Sequence, residues 1–190
     1  MRRKFVYTLW SLLLGFILSA ALFVVAVERG WIGYMPDLER IQNPINKFAS
    51  QALTADGKLL GTWSTSENRI FVATDSISPH LFKALVATED ERFYDHCGID
   101  AKALGRAVVK RGIMGQHNST ITQQLAKQLY SGKASNTLQR LLQKPIEWVI
   151  AVEIERYYTK DEIMTLYLNY FDFLHNAVGI KTAANVYFGK

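Results

Sequence analysis

The sequence predicts a mainly α-helical protein with a small β element before its helices and one transmembrane helix before both. Three observations carry this reading. Residues 5–27, FVYTLWSLLLGFILSAALFVVAV, contain no charged side chain. Residues 51–72 hold short extended runs around Asp56-Gly57, a dipeptide suited to a hairpin turn. From residue 79 onward, apolar residues recur at three- and four-residue intervals in successive segments, the period of an amphipathic helix.

The anchor comes first. At ~1.5 Å per residue, an uncharged run of this length crosses a hydrocarbon core of ~30 Å. A cleaved signal peptide would have a shorter apolar core, ~7–15 residues, and a small-residue cleavage site. Here Glu28-Arg29-Gly30-Trp31 follows instead. Arg2, Arg3 and Lys4 precede the span, so the positive-inside rule places residues 1–4 in the cytoplasm and residue 28 onward outside. Trp10 and Trp31 lie near its two ends. Setting Arg2, Arg3 and Lys4 aside leaves 19 of the 22 basic residues against 17 acidic ones. That balance, with no zinc-finger spacing, phosphate loop or Rossmann glycine pattern, argues against nucleic acid as a partner. Cys97 is the single cysteine and forms no internal disulfide.

Residues 28–50 read as a juxtamembrane linker broken by Pro36 and Pro44. QALTA and KLLGTW then flank the Asp56-Gly57 turn, and Arg69-Ile70-Phe71-Val72 is a further extended run. Ser78-Pro79 is an N-cap followed by a proline at the first helical position, opening a helix expected over about 79–95. Phe82, Leu85, Val86, Glu89 and Phe93 share one face of it, which predicts a mostly buried Glu89. A buried carboxylate is either a paired structural acid or one raised in pKa for proton transfer.

Residues 101–117 mix apolar side chains with Lys102, Arg106, Lys110 and Arg111, the composition of a segment lying on an anionic membrane. Ser119 is expected to cap the helix STITQQLAKQLY, with Ile121, Leu125 and Leu129 on its apolar face. A long helix is expected over about 137–158, with Lys144 and Glu147 as i, i+3 neighbours and Pro145 between them. Glu147 precedes Ile150, Ala151 and Ile154 on the same face, so partial burial is expected. Thr159-Lys160-Asp161-Glu162 reads as a capping box opening the next helix. A last helix is expected over about 178–188.

Together these residues resemble the peptidoglycan glycosyltransferase family, the lysozyme-like module at the N-terminus of class A penicillin-binding proteins. The resemblance covers residues 51–190. It is carried by Glu89-Asp90-x-x-Phe93-x-x-His96-x-Gly98, by Ser119-Thr120-Ile121-Thr122-Gln123-Gln124-Leu125-x-Lys127, by Lys144-x-x-Glu147, and by Tyr167-Leu168-Asn169 followed by Tyr187-Phe188-Gly189-Lys190. Leu174 stands where the family usually has a glycine, and Gln139 and Gln143 stand where it often has arginines.

The resemblance implies a fold, an activity and a location. It implies a lysozyme-like glycosyltransferase domain on the outer face of the bacterial cytoplasmic membrane. That domain would polymerise lipid II by inverting transfer from a polyprenyl-pyrophosphate donor. Glu89 matches the general base. Glu147 matches a second glutamate acting on the pyrophosphate directly or through a divalent metal, Mg or Mn; the sequence itself requires no cofactor. Asp90, Phe93, His96, Ser119, Thr120, Gln123, Gln124, Lys127, Arg140 and Lys144 match substrate-binding positions. Membrane lipids and cell-wall synthesis proteins are the implied partners. The family fold continues past Lys190, so the domain is expected to be C-terminally incomplete here, and the absence of a Ser-x-x-Lys motif predicts no penicillin binding by these residues. A membrane-anchored binding or scaffold module without catalysis is the alternative. A metal site from His96, Cys97, His117 and His175 fits no common ligand spacing.

Overall fold

The computed structural model describes residues 2–31, 35–42, 49–63, 69–105, 119–131 and 137–189. Helix α1, Arg2–Glu28, contains the whole uncharged run, and most of its side chains are exposed. It is long and apolar enough to cross a membrane once. Its end is set by Gly30, at φ 68°. The Gly30 amide donates to the Val27 carbonyl and the Trp31 amide to that of Ala26, both at 2.9 Å. This Schellman pairing satisfies carbonyls that the helix itself leaves open. Phe23 and Val27 turn inward and join the core of the following domain, as does Ile41 from the short helix α2, Leu38–Gln42.

Strands β1, Ser50–Leu53, and β2, Leu59–Trp63, pair antiparallel with Ser50 opposite Trp63. The hairpin forms where Asp56-Gly57 places it, with Gly57 at φ 80°. The extended run at 69–72 is not a strand. The Val72 amide donates to Asn169 Oδ1 at 2.8 Å, and Asn169 Nδ2 returns a bond to the Val72 carbonyl at 2.9 Å. The carboxamide of a fully buried asparagine thus stands in for a neighbouring strand.

The domain core is helical. Helix α3 is Pro79–Glu89, α4 is Ile121–Tyr130, α5 is Thr137–Tyr157, α6 is Lys160–Tyr170 and α7 is Ile180–Phe188. Residues 101–105 are also helical, while 106–117 of the expected membrane-surface segment lie outside the described residues. Helix α4 lies against both α5 and α6. Ile121, Leu125, Ile150, Ile154, Ile163, Met164 and Tyr167 are buried where they meet. Burying each such side chain contributes ~1.5–3 kcal/mol, so this junction is the main source of cohesion. Helix α5 runs through Pro145, giving up the hydrogen bond that an amide there would donate. The capping box forms: Thr159 accepts from the Glu162 amide, and the Glu162 carboxylate accepts from the Thr159 amide at 2.7 Å.

Two helix ends differ from the sequence expectation. Helix α3 stops at Glu89 rather than near 95, because Asp90 leaves helical geometry at φ −156° and ψ 77°. Its buried carboxylate is used elsewhere, and a 3-10 turn at Phe93–Asp95 then carries Phe93 into the core, fully buried. Helix α4 is capped by Thr120, not Ser119: Thr120 Oγ1 accepts from the Gln123 amide and donates to the Gly98 carbonyl.

Candidate active site

Glu89, Asp90, Gln124, Ser119 and Lys144, singled out by the sequence, meet around the start of α4. Because α3 ends at Glu89, the Glu89 side chain is exposed rather than buried on the helix face. The expected apolar stripe breaks there: Phe93 reaches the core through the turn, and Glu89 is left at the rim. Gln124 Nε2 donates to Glu89 Oε2 at 3.0 Å and makes a longer 3.4 Å contact to the Ser119 carbonyl. The other end of that amide, Gln124 Oε1, accepts from the Tyr167 hydroxyl at 3.1 Å. Burial, and then the Glu89 charge, push the Tyr167 hydroxyl well above its ordinary pKa, so it remains a donor.

Across the helix start lies the second acid. Glu147 is buried, as its neighbours on α5 predict. Lys144 Nζ lies 3.2 Å from Glu147 Oε2 and donates to Ser119 Oγ at 2.7 Å. Glu147 Oε2 accepts no hydrogen bond of good geometry. The two glutamates are therefore tied through Gln124, Ser119 and Lys144. Lys127 is exposed one turn beyond Gln124 on the same helix face. Arg140 is exposed on the first turn of α5.

Several residues expected to touch substrate are instead enclosed in the scaffold. Phe93 is fully buried, with the Lys160 ammonium 4.3 Å from its ring centre. Asp90 accepts from His96 Nε2 at 3.0 Å and from the Ile121 amide at 3.2 Å, so its carboxylate sits at the positive end of α4. Thr120 and Gln123 both donate to the Gly98 carbonyl, at 2.7 and 3.0 Å. These side chains are bonded within the scaffold, and direct contact with a bound sugar would need them to leave those bonds. Asp100, bound by Arg92, anchors the loop beyond Gly98. Burial pushes the Asp100 carboxyl up, but the Ala103 amide and Arg92 outweigh it and hold its pKa below the ordinary value.

The sequence reading missed a second buried polar group. Lys160 Nζ donates to the His96 carbonyl at 2.6 Å and to Glu155 Oε1 at 2.8 Å, and Thr122 Oγ1 donates to the same carboxylate oxygen at 2.6 Å. This trio welds α4, α5 and α6 to the loop after α3. Its advance signal was Thr122, in line with the apolar Leu125, Ala126 and Leu129 of α4.

The donor set does not make a divalent-metal site by itself. Among the described residues no three His, Cys, Asp or Glu side chains converge. Among the described residues no second acid joins Glu147 in such a cluster, and the Lys144 ammonium takes the place beside it that a cation would need.

Comparison with known proteins agrees with the motifs. The family model described as "Transglycosylase" matches residues 56–190. "Penicillin-binding protein 1A" of Aquifex aeolicus (strain VF5) is 35% identical over 192 residues, covering 99% of this chain and 25% of the relative. "Penicillin-binding protein 1A" of Escherichia coli (strain K12) is 38% identical over 159 residues, covering 82% and 18%. "Penicillin-binding protein 1F" of Bacillus subtilis (strain 168) is 41% identical over 128 residues, covering 66% and 17%. These alignments define one class of protein: the chain belongs to the transglycosylase family, whose members are glycosyltransferases. It spans about a quarter or less of the length of these penicillin-binding relatives.

Proposed function

We propose that residues 51–190 belong to a lysozyme-like peptidoglycan glycosyltransferase domain that polymerises lipid II, held by residues 5–27 to the outer face of the bacterial cytoplasmic membrane. Residues 1–4 would lie inside and residues 28–50 would link anchor to domain. The observation that carries this reading is the pair of acids on either side of the α4 start: Glu89 held by Gln124, and Glu147 held by Lys144.

In this mechanism the acceptor sugar hydroxyl attacks the anomeric carbon of the growing glycan. The new C–O bond forms as the bond to the polyprenyl pyrophosphate breaks, with inversion. The hydroxyl proton passes to Glu89 and the bonding electron pair leaves with the pyrophosphate. Exposure of Glu89 suits it to meet an incoming acceptor; the Gln124 bond sets the direction of its carboxylate. Lys144, Ser119 and Lys127 supply the cations and hydroxyl that meet the leaving charge. Glu147 keeps the Lys144 ammonium beside Ser119. No step is assigned to a metal.

Labelled lipid II polymerisation by the protein in detergent or nanodiscs tests this. Glu89→Gln, which keeps the shape and removes the base, should lower the rate by roughly 10²–10⁴. An unchanged rate overturns the assignment of Glu89. Lipid II binding without polymerisation by the wild-type protein supports the scaffold alternative.

A further inference from the structure

A groove of about 600 Å³ lies along the outer side of α3, between the turn at residues 74–76 and the first turn of α6. None of Glu89, Gln124, Lys144 or Glu147 lines it. Its floor is apolar, with Phe82 and Val86 one turn apart on α3, Ile77 before them and Tyr94 beyond them. Pro79 to Val86 spans two helical turns, ~10 Å, the contact length of a crossing helix. The rim is acidic: Asp75, Glu91 and Asp161 against Lys83. Among the described residues none of these three carboxylates is in an ion pair. Asp161 is close enough that its charge, after burial, raises the pKa of the Tyr94 hydroxyl.

We propose that this groove docks a basic amphipathic helix of a partner protein, its apolar ridge on Phe82, Val86 and Tyr94 and its lysine or arginine side chains toward Asp75, Glu91 and Asp161. Charge complementarity selects this occupant. Three carboxylates against the single Lys83 ammonium leave the rim net negative, which disfavours an anionic lipid surface or a pyrophosphate headgroup and favours cationic side chains flanking an apolar ridge. A helix laid on two turns of α3 would bury exposed Ala87 and half-buried Phe82 together.

The test uses the full chain in nanodiscs of zwitterionic lipid and two fluorescein-labelled 18-residue helical peptides. One has leucines on one face and lysines on the other; its counterpart carries glutamate for lysine. Anisotropy should show saturable binding of the leucine–lysine peptide, weakening with added salt, and none of the leucine–glutamate peptide. The combined change Asp75→Asn, Glu91→Gln, Asp161→Asn should weaken binding at least tenfold. Ala87→Arg, which places a long cation in the groove, should do the same, with circular dichroism showing both variants folded. Equal binding by wild type and either folded variant, equal binding of both peptides, or no saturable binding beyond that of empty nanodiscs overturns the proposal. So does concentration-dependent dimerisation abolished by Ala87→Arg, which would make a second copy the occupant, or uptake of a labelled acyl chain displaced by neither peptide. None of these readouts depends on glycan polymerisation.

Discussion

The Tyr167 hydroxyl donates to Gln124 Oε1 at 3.1 Å, and that one bond fixes which end of the Gln124 amide faces Glu89. With the carbonyl end taken, the NH₂ end must point at the carboxylate. A residue of α6 thereby sets the direction of an acid at the end of α3 without touching it.

Tyr167→Phe removes this constraint while leaving the ring in the core. We expect roughly fivefold slower turnover, corresponding to about 1 kcal/mol for one lost neutral hydrogen bond. Restoring the rate with an independently oriented Gln124 is not available to the variant, so kcat rather than KM should fall. Burial also raises the pKa of Tyr158 and Tyr170. Groups with a raised folded pKa contribute stability below their unfolded pKa, about 10 for tyrosine. That stability is lost as pH rises toward the folded value, so denaturant melts should show weakening above about pH 10.

The capping box gives a prediction at the acid end. The Thr159 amide and hydroxyl hold the Glu162 carboxyl below its ordinary pKa. Its contribution is present above the unfolded pKa of about 4.3 and disappears as pH falls through the lower folded value. Thr159→Ala should cost about 1 kcal/mol near neutral pH, read from urea melts, and the difference from wild type should shrink in acid.

The long helix, the capping box and the partial burial of Glu147 were legible because each follows from spacing within one segment. The exposure of Glu89 was not. Periodicity assumes that the helix continues, but Asp90 is recruited by His96 and by the Ile121 amide, 31 residues away. The same long-range pairing explains why Thr120, tied to Gly98, displaces Ser119 as the cap. Ser119 is thereby left to accept from Lys144. Motif spacing named the candidate residues but could not separate the exposed side chains from those bonded into the scaffold.

Gly98 illustrates the second group. It lies at φ 85°, and a Cβ there would come 2.9 Å from the Ala151 backbone on α5. Its carbonyl accepts from Thr120 and Gln123. Gly98→Ala should therefore destabilise by about 2 kcal/mol or more, combining backbone strain with displacement of α5. Thermal unfolding checks this; an unchanged midpoint would mean that the loop can shift away without cost.

The two lysines of the site should behave differently. Lys127 is exposed and off the packed face of α4, so Lys127→Ala should leave stability within about 0.5 kcal/mol and raise KM for the glycan donor. Lys144→Ala leaves the buried Glu147 carboxylate without its cation. The Lys144 side chain is 43% exposed, which lets water compensate in part, so about 1–3 kcal/mol is expected from an uncompensated carboxylate. Paired urea melts and donor titrations separate the two cases.

The turn between α6 and α7 carries the last prediction. Leu174, His175 and Asn176 lie at φ 70°, 52° and 61°, three successive left-handed residues of which none is glycine. Asp172 Oδ1 accepts from the Leu174 amide, the Phe173 carbonyl accepts from the Tyr187 hydroxyl, and His175 Nδ1 lies 3.0 Å from that hydroxyl, so the turn is tied to α7. Leucine is the costliest of the three in this conformation, because it has no short polar side chain to bond locally. The residue is 67% exposed and contributes little packing. Leu174→Gly should therefore stabilise the protein by about 1 kcal/mol, relief of strain exceeding the added flexibility of the unfolded chain. A rise in the urea midpoint with unchanged slope is the expected result. A fall would show that the exposed leucine is held by contacts worth more than the strain it bears.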